Sequence, residues 1–205
     1  MAARARVALA TAVALGLLAG CRTAPPPAPT VIGPGADAPW SEQYTALTTL
    51  ANYALTGRVA VAANGQGFSA NLRYRQRQQR TELALDGPMG IGGMHMQFDE
   101  QQISVTDSRG QTLDGAAARA EIENRLGFEL PLAELRWWLL GLPAPGMPAE
   151  KHEQVAGGAI TDFQQNGWRV SIDSRAPGLG FSLPARLTAE RDGARMKLLV
   201  ENWQP

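Results

Sequence analysis

Most of the chain alternates apolar and polar residues with a period of two, which is typical of antiparallel strands with one buried face. The alternating segments are 55–61, 68–75, 82–86, 94–99, 103–106, 154–156, 159–164, 168–173, 181–190 and 194–202. Between them lie turn sequences such as Asn64-Gly65, Asn166-Gly167 and Asp192-Gly193, which favour tight hairpins. The pattern predicts one antiparallel sheet of about 10–11 strands.

Helical spacing of apolar residues replaces this alternation in three places. It predicts helices over residues 41–52, 114–126 and 132–140, with Gly127 as the left-handed residue after the second and Pro131 in the first turn of the third. Long sheets curl, and an apolar concave face needs a cover. We therefore expect a mainly β fold: an unclosed, curved β-barrel covered by helices and enclosing an apolar cavity.

The N-terminus carries the signature of a lipoprotein signal peptide. Arg4 and Arg6 precede the apolar run 7–18, and the lipobox Leu-Ala-Gly-Cys occupies residues 18–21. The apolar run has 12 residues, which is too short to span a bilayer core of about 30 Å as a helix. The pattern predicts cleavage before Cys21 and lipid attachment to that cysteine.

The signal and the residues after it divide the chain into three parts. Residues 1–20 are the predicted signal peptide, 21–39 the lipidated cysteine with a Pro-rich tether, and 40–205 a single domain. Arg22 follows Cys21, where lipoproteins retained in the inner membrane usually carry aspartate. The sorting rule therefore predicts anchoring at the periplasmic face of the outer membrane.

Composition argues against several other classes of protein. Nineteen basic and nineteen acidic residues balance, so no excess charge favours nucleic acid. The single cysteine allows no intramolecular disulfide. His95 and His152 are the only histidines, lack metal-ligand spacing, and are accompanied by no Gly-x-Ser-x-Gly motif. We expect a non-enzymatic protein without cofactor or metal.

The inward face of the sheet admits two interpretations: a fully packed core, or the wall of an acyl-binding cavity. Three methionines (Met94, Met96 and Met196) and two small residues (Gly57 and Ala70) on that face favour a cavity that can re-pack around a ligand. The candidate cavity-lining residues are Leu55, Val59, Phe68, Leu72, Leu83, Leu85, Met94, Met96, Phe98, Ile103, Val105, Trp138, Leu139, Trp168, Val170, Phe181, Leu183, Met196 and Leu198.

One connection between strands is unusually apolar. The loop of residues 87–93 contains Met89 and Ile91 where loops are ordinarily polar. Its glycines permit tight backbone turns. The candidate membrane-inserting residues are Gly87, Pro88, Met89, Gly90 and Ile91. Two interpretations stay open: an exposed tip that enters a membrane, or a bulge whose methionine packs into the barrel end.

Several motifs occur in an order that resembles the LolB family of outer-membrane lipoproteins. They are Trp40, LTGRVAV at 55–61, LDGPMG at 85–90, Leu126-Gly127, Leu130-Pro131, LRWWLLGLP at 135–143, NGWRV at 166–170, LPARL at 183–187 and the closing segment 197–203. Each motif alone is weak, but the order behind a lipobox is specific and covers nearly the whole mature chain.

The resemblance implies both a fold and a function. It implies an unclosed β-barrel with a helical lid that accepts acylated lipoproteins from the periplasmic carrier LolA and inserts them into the outer membrane. It implies a protruding apolar loop residue, usually leucine, at the position of Met89. The expected partners are a LolA-type carrier, acylated lipoprotein and outer-membrane phospholipid, with a monomeric receptor. The competing hypothesis is a structural outer-membrane lipoprotein with a packed core and a protein partner.

Overall fold

A computed structural model describes residues 31–87, 93–155 and 157–205. Its elements are α1 (Trp40–Thr48), β1 (Asn52–Ala63), β2 (Gln66–Arg77), β3 (Arg80–Asp86), β4 (Met94–Phe98), β5 (Ile103–Asp107), β6 (Thr112–Asp114), α2 (Gly115–Leu126), α3 (Leu132–Leu139), β7 (Glu150–Gln154), β8 (Ile160–Gln165), β9 (Trp168–Gly178), β10 (Phe181–Arg191) and β11 (Ala194–Gln204). The predicted signal peptide, Cys21 and residues 22–30 lie outside the described residues. So do Pro88, Met89, Gly90 and Ile91.

The strands form one antiparallel sheet in the order β6-β5-β4-β3-β2-β1-β11-β10-β9-β8-β7. Strand β1 pairs with β2 on one side and with β11 on the other, so the N- and C-terminal strands meet in the middle of the sheet. Strands β6 and β7 are its two ends and do not pair with each other within the described part of the chain. The predicted mainly β, unclosed barrel is confirmed.

Alternation places one face of each long strand in the core. In β1, Tyr53, Leu55, Val59 and Val61 are buried while the side chains between them are half-buried or exposed. The hairpin after β1 has left-handed backbone at Asn64 (φ 52°), as a two-residue type I′ turn requires. The period-two pattern therefore fixes both the buried face and the register of the hairpins.

Gly57 has a different role from the one expected. It faces inward, but a β-carbon there would lie 2.1 Å from the carbonyl oxygen of Leu199 on β11. The register between β1 and β11 shifts between Thr56 and Gly57. The missing side chain is therefore not open room in a lumen, because the backbone of the neighbouring strand occupies that space.

Some element boundaries differ from the predicted ones. Helix α1 begins at Trp40 and ends at Thr48, since the chain is already paired as a strand from Asn52. Strand β7 covers 150–154, earlier than the predicted 154–156. Strand β6 was not predicted because it has three residues, all exposed, which is too short to display alternation.

The chain joins the domain before the predicted boundary at residue 40. The backbone amides of Ile32 and Gly33 donate to the carbonyl of Leu179 at 2.9 and 2.8 Å, and the amide of Gly35 donates to that of Gly180 at 2.9 Å. This pairing fastens residues 32–35 to the β9–β10 turn. Residues 32–35, which fall within the predicted tether segment 21–39, therefore contact the folded domain.

Candidate functional site

An apolar cavity of about 70 Å³ lies between the sheet and α3. The sheet supplies wall residues from β1, β2, β3, β10 and β11, and α3 covers them from the concave side. The fifteen lining residues are Val59, Val61, Leu72, Tyr74, Leu83, Leu85, Leu126, Leu130, Leu135, Trp138, Leu139, Leu187, Ala189, Met196 and Leu198. Its accessible wall is entirely apolar, so it offers burial to hydrocarbon and no partner to a charged group.

The predicted lining residues divide into three groups. Those that line the cavity are Val59, Leu72, Leu83, Leu85, Trp138, Leu139, Met196 and Leu198. Those buried in the surrounding core instead are Leu55, Met94, Met96, Phe98, Ile103, Val105, Trp168, Val170, Phe181 and Leu183. The third group is Phe68 alone, which is 39% exposed and belongs neither to the buried core nor to the cavity lining. Most of the inward face is thus packed core, and the cavity occupies its centre.

Seven lining residues were not among the predicted ones. Val61 and Tyr74 belong to the same alternating series as predicted neighbours, and Leu187 and Ala189 alternate along β10 in the same way. Extending each series over the whole strand finds these four. Leu126, Leu130 and Leu135 come from α2, the α2–α3 connection and α3. Their position over the cavity follows from helix packing, which period-two patterns do not report.

Gln165 attaches α3, the helix that covers the cavity, to the sheet. This fully buried side chain accepts hydrogen bonds from the indole Nε1 of Trp138 at 3.0 Å and from the amide of Ala144 at 2.8 Å. Its Nε2 donates to the carbonyls of Ala144 and Met147 at 2.8 and 3.1 Å. One side chain at the end of β8 therefore fixes both α3 and the segment after it.

Two further polar contacts attach α3 at its ends. Asn166 donates from Nδ2 to the buried carboxylate of Glu134 at 2.7 Å, in the first turn of the helix. The hydroxyl of Tyr53 donates to the carbonyl of Arg136 at 2.6 Å. Burial raises the pKa of Tyr53 well above its usual value, so the hydroxyl stays protonated and remains a donor at physiological pH.

A half-buried arginine joins the N-terminal helix to the end of α3. The Arg175 guanidinium lies 4.6 Å from the ring centroid of Trp40 and donates to the carbonyls of Ser182 and Ile160 at 2.8 and 2.9 Å. A longer contact of 3.5 Å reaches the carbonyl of Gly141, just after α3. Burial lowers the pKa of Arg175 to about 10, which leaves it charged at neutral pH.

The cavity is small for an acyl ligand. Its volume is about 70 Å³, whereas sites for drug-sized ligands occupy about 300–1,000 Å³. A fatty acyl chain fits only if wall residues move. Met196 is half-buried and flexible, and α3 contacts the sheet through the hydrogen bonds described above and through the buried side chains of Trp138 and Leu139.

The apolar loop begins and ends beside this wall. Gly87 directly follows β3, whose last pair with β2 joins Asp86 to Asn71, and Gly93 directly precedes β4. Leu85, two residues before Gly87, lines the cavity. The ends of the loop are therefore held by a strand that forms part of the cavity wall.

The described residues contain no group of three or more His, Cys, Asp or Glu side chains placed to hold a metal ion. His95 lies half-buried on β4 beside Gln97, with their side-chain nitrogens 3.3 Å apart. The side chain of His152 lies outside the described set. None of the helices in the described ranges is both long and apolar enough to cross a membrane.

Comparison with known proteins places the chain in a family. The model of the family described as "Outer membrane lipoprotein LolB" matches residues 51–203. An outer-membrane lipoprotein LolB of Stutzerimonas stutzeri is 31% identical over 197 residues, covering 96% of this chain and 94% of the relative. That of Nitrosococcus oceani is 29% identical over 192 residues, covering 94% of each chain.

Among solved structures, a LolA superfamily protein from Nitrosomonas europaea aligns with a TM-score of 0.46 and 11% identity. The alignment covers 75% of this chain and 85% of that one. The match of the family model over three-quarters of the sequence carries the assignment instead. The chain therefore belongs to the outer-membrane lipoprotein LolB family, whose members are lipid-anchored in the outer membrane and are not enzymes.

Proposed function

We propose that this protein accepts acylated lipoproteins from a LolA-type periplasmic carrier and places them in the outer membrane, holding acyl chains in the apolar cavity under α3. The observation that carries the proposal is that cavity, whose wall is apolar throughout, in a chain of the LolB family. The proposed anchor is lipidated Cys21, on a tether formed by the residues that follow it. The proposed receptor acts as a monomer.

Hydrophobic burial supplies enough energy for this role without a chemical step. Each methylene moved out of water contributes about 0.8 kcal/mol, so even a partly enclosed acyl chain binds usefully. A tighter fit in the receptor than in the carrier by about 1.4 kcal/mol biases the transfer tenfold. Delivery then requires the bilayer to be a better environment for the chain than the cavity.

Binding of a fluorescent acyl probe to the purified, non-lipidated chain tests the cavity directly. We expect saturable binding near one equivalent, together with a change in tryptophan fluorescence because Trp138 lines the cavity. Absence of binding would favour the competing hypothesis of a structural lipoprotein with a packed core. One observation supports that hypothesis: the small volume of the cavity.

Filling the cavity provides a matched variant for that experiment. Ala189 lines the cavity and is buried, so Ala189→Leu places three extra carbon atoms in the space that an acyl chain needs. We expect at least about tenfold weaker probe binding and unchanged or slightly greater stability, because the substitution fills a void. The control is Ala60→Leu, at an exposed position of β1. Equal affinity in the two variants would exclude the cavity as the acyl site.

Delivery is expected to depend on Met89 in the apolar loop. Met89→Glu adds a charge that is costly to place in a bilayer, so we expect normal folding and normal uptake of acylated cargo but loss of most transfer to liposomes. Val155→Glu is the control, since Val155 is an apolar residue that is 53% exposed and lies far along the chain. Unchanged delivery by the Met89 variant would exclude membrane insertion of the loop, and failure to fold would assign Met89 to the core.

A further inference from the structure

Phe68 is an apolar side chain that faces the interior of the barrel without being covered. Its strand position has the same parity as Leu72 and Tyr74, which line the cavity. Yet Phe68 is 39% exposed, whereas those two residues are almost fully buried. An aromatic ring left open at the end of a buried row lies at the boundary between the barrel interior and solvent.

The exposure of Phe68 has a simple cause in the lengths of the strands. Strand β2 starts at Gln66, but its pairing with β3 reaches only from Arg77 to Asn71, where Asp86 is the last partner. Pairing with β3 ends at Asp86, so β2 has no β3 partner beside Phe68. Among the described residues, the edge of β2 beside Phe68 is therefore unpaired on that side.

A continuous apolar row connects this opening with the cavity. Phe68 pairs across the strands with Val61, and Val61 pairs with Met196. Val61 and Met196 both line the cavity. On the inward face of β2, Ala70 is the one residue between Phe68 and Leu72. Its small side chain projects little from the sheet. A hydrocarbon chain that follows this row stays in apolar contact from the edge of the sheet to the cavity.

We infer that Phe68 forms the lip of the entrance through which acyl chains pass between the cavity and the outside. This inference rests on the proposed function and adds the route of the chain. The ligand is the saturated hydrocarbon of an acylated lipoprotein, because every residue on the row is apolar. The ring acts on passage and not on the bound state, since it does not line the cavity.

Rates of transfer distinguish this role from ordinary binding or packing. We expect Phe68→Ser to slow both association and dissociation of a fluorescent triacylated lipopeptide about tenfold, equivalent to about 1.4 kcal/mol at the barrier, with an unchanged Kd. Phe68→Leu restores the rates because it restores an apolar surface. Leu113→Ser is the matched control. Leu113 is 40% exposed and lies on the edge strand β6, where it pairs with Val105 of β5, away from the cavity wall.

Photocrosslinking supplies a readout that does not depend on stability. With p-benzoylphenylalanine at position 68, the bound lipopeptide is expected to crosslink, while the same group at position 113 is not expected to do so. Absent crosslinking, unchanged rates, or an effect confined to Kd would overturn the inference, as would capture of the carrier protein alone at position 68. If the unmodified chain binds no probe, the proposed function fails; if it binds with rates indifferent to Phe68, only the entrance fails.

Discussion

Replacing Gln165 with methionine is expected to lower the free energy of unfolding by about 3–5 kcal/mol. Methionine preserves the length and approximate volume of the side chain but can accept no comparable hydrogen bonds and donate none. The buried indole N–H of Trp138 and both backbone groups of Ala144 then lose their partner. Each buried polar group left without a partner costs about 1–3 kcal/mol, a large share of the about 5–15 kcal/mol that stabilises a typical domain.

The neighbouring glutamine provides the control for this prediction. Gln164→Met changes a half-buried side chain on the opposite face of β8, and we expect a change in stability within about 0.5 kcal/mol, as for most surface positions. Chemical denaturation monitored by tryptophan fluorescence measures both variants. If the two variants are equally stable, Gln165 is not what holds α3 and the following segment on the sheet.

The same substitution is expected to alter the cavity as well as the stability. Trp138 lines the cavity, and its ring centroid lies 6.2 Å from that of Trp168. Without Gln165, the orientation of its indole is set by packing alone. A lid that opens more readily admits the acyl probe faster, so the variant is expected to gain in association rate while losing in stability. A faster association rate together with a lower stability would link the hydrogen bonds of Gln165 to the proposed transfer function.

The period-two pattern predicted the sheet because burial of one face of a strand places an apolar residue at every second position. The same pattern could have found Gln76, a polar residue at an inward position of β2 that is buried with hydrogen-bond partners. Gln165 is also buried with hydrogen-bond partners, but it lies one residue beyond the predicted segment 159–164, on a strand whose burial does not alternate strictly. An inward glutamine therefore predicts a buried polar contact, although it does not tell which helix supplies the partner.

The cavity was harder to predict because it depends on lengths and contacts that alternation does not report. Phe68 has the pattern of a lining residue, but β3 ends before it can cover that position. Leu55 and Val170 have the same pattern and are buried in the packed core. Whether an inward side chain meets a void, another side chain or solvent is decided by the neighbouring element, so the sequence alone predicted a face and not a site.

Substituting Gly57 with alanine is expected to be the most damaging single-methyl change in the sheet. The added β-carbon would lie 2.1 Å from the carbonyl oxygen of Leu199 and 3.1 Å from the α-carbon of Val200. These are backbone atoms of the adjacent strand, so no side-chain rotation relieves the overlap. The strands β1 and β11 must separate or shift register, and overpacking of a well-packed interior typically costs about 1–3 kcal/mol, occasionally more.

We place the expected loss at or above the top of that range, about 3 kcal/mol, because β1 and β11 join the two halves of the barrel. The matched control is Gly93→Ala, where a β-carbon meets its nearest atom, a side-chain oxygen of Asp86, at an ordinary 3.4 Å. Thermal unfolding of both variants, with hydrogen exchange of the β1 and β11 amides, measures the difference. Since β1 and β11 both line the cavity, the Gly57 variant is also expected to lose acyl binding. A Gly57 variant as stable as the Gly93 variant would show that β1 and β11 can move apart without destabilising the barrel.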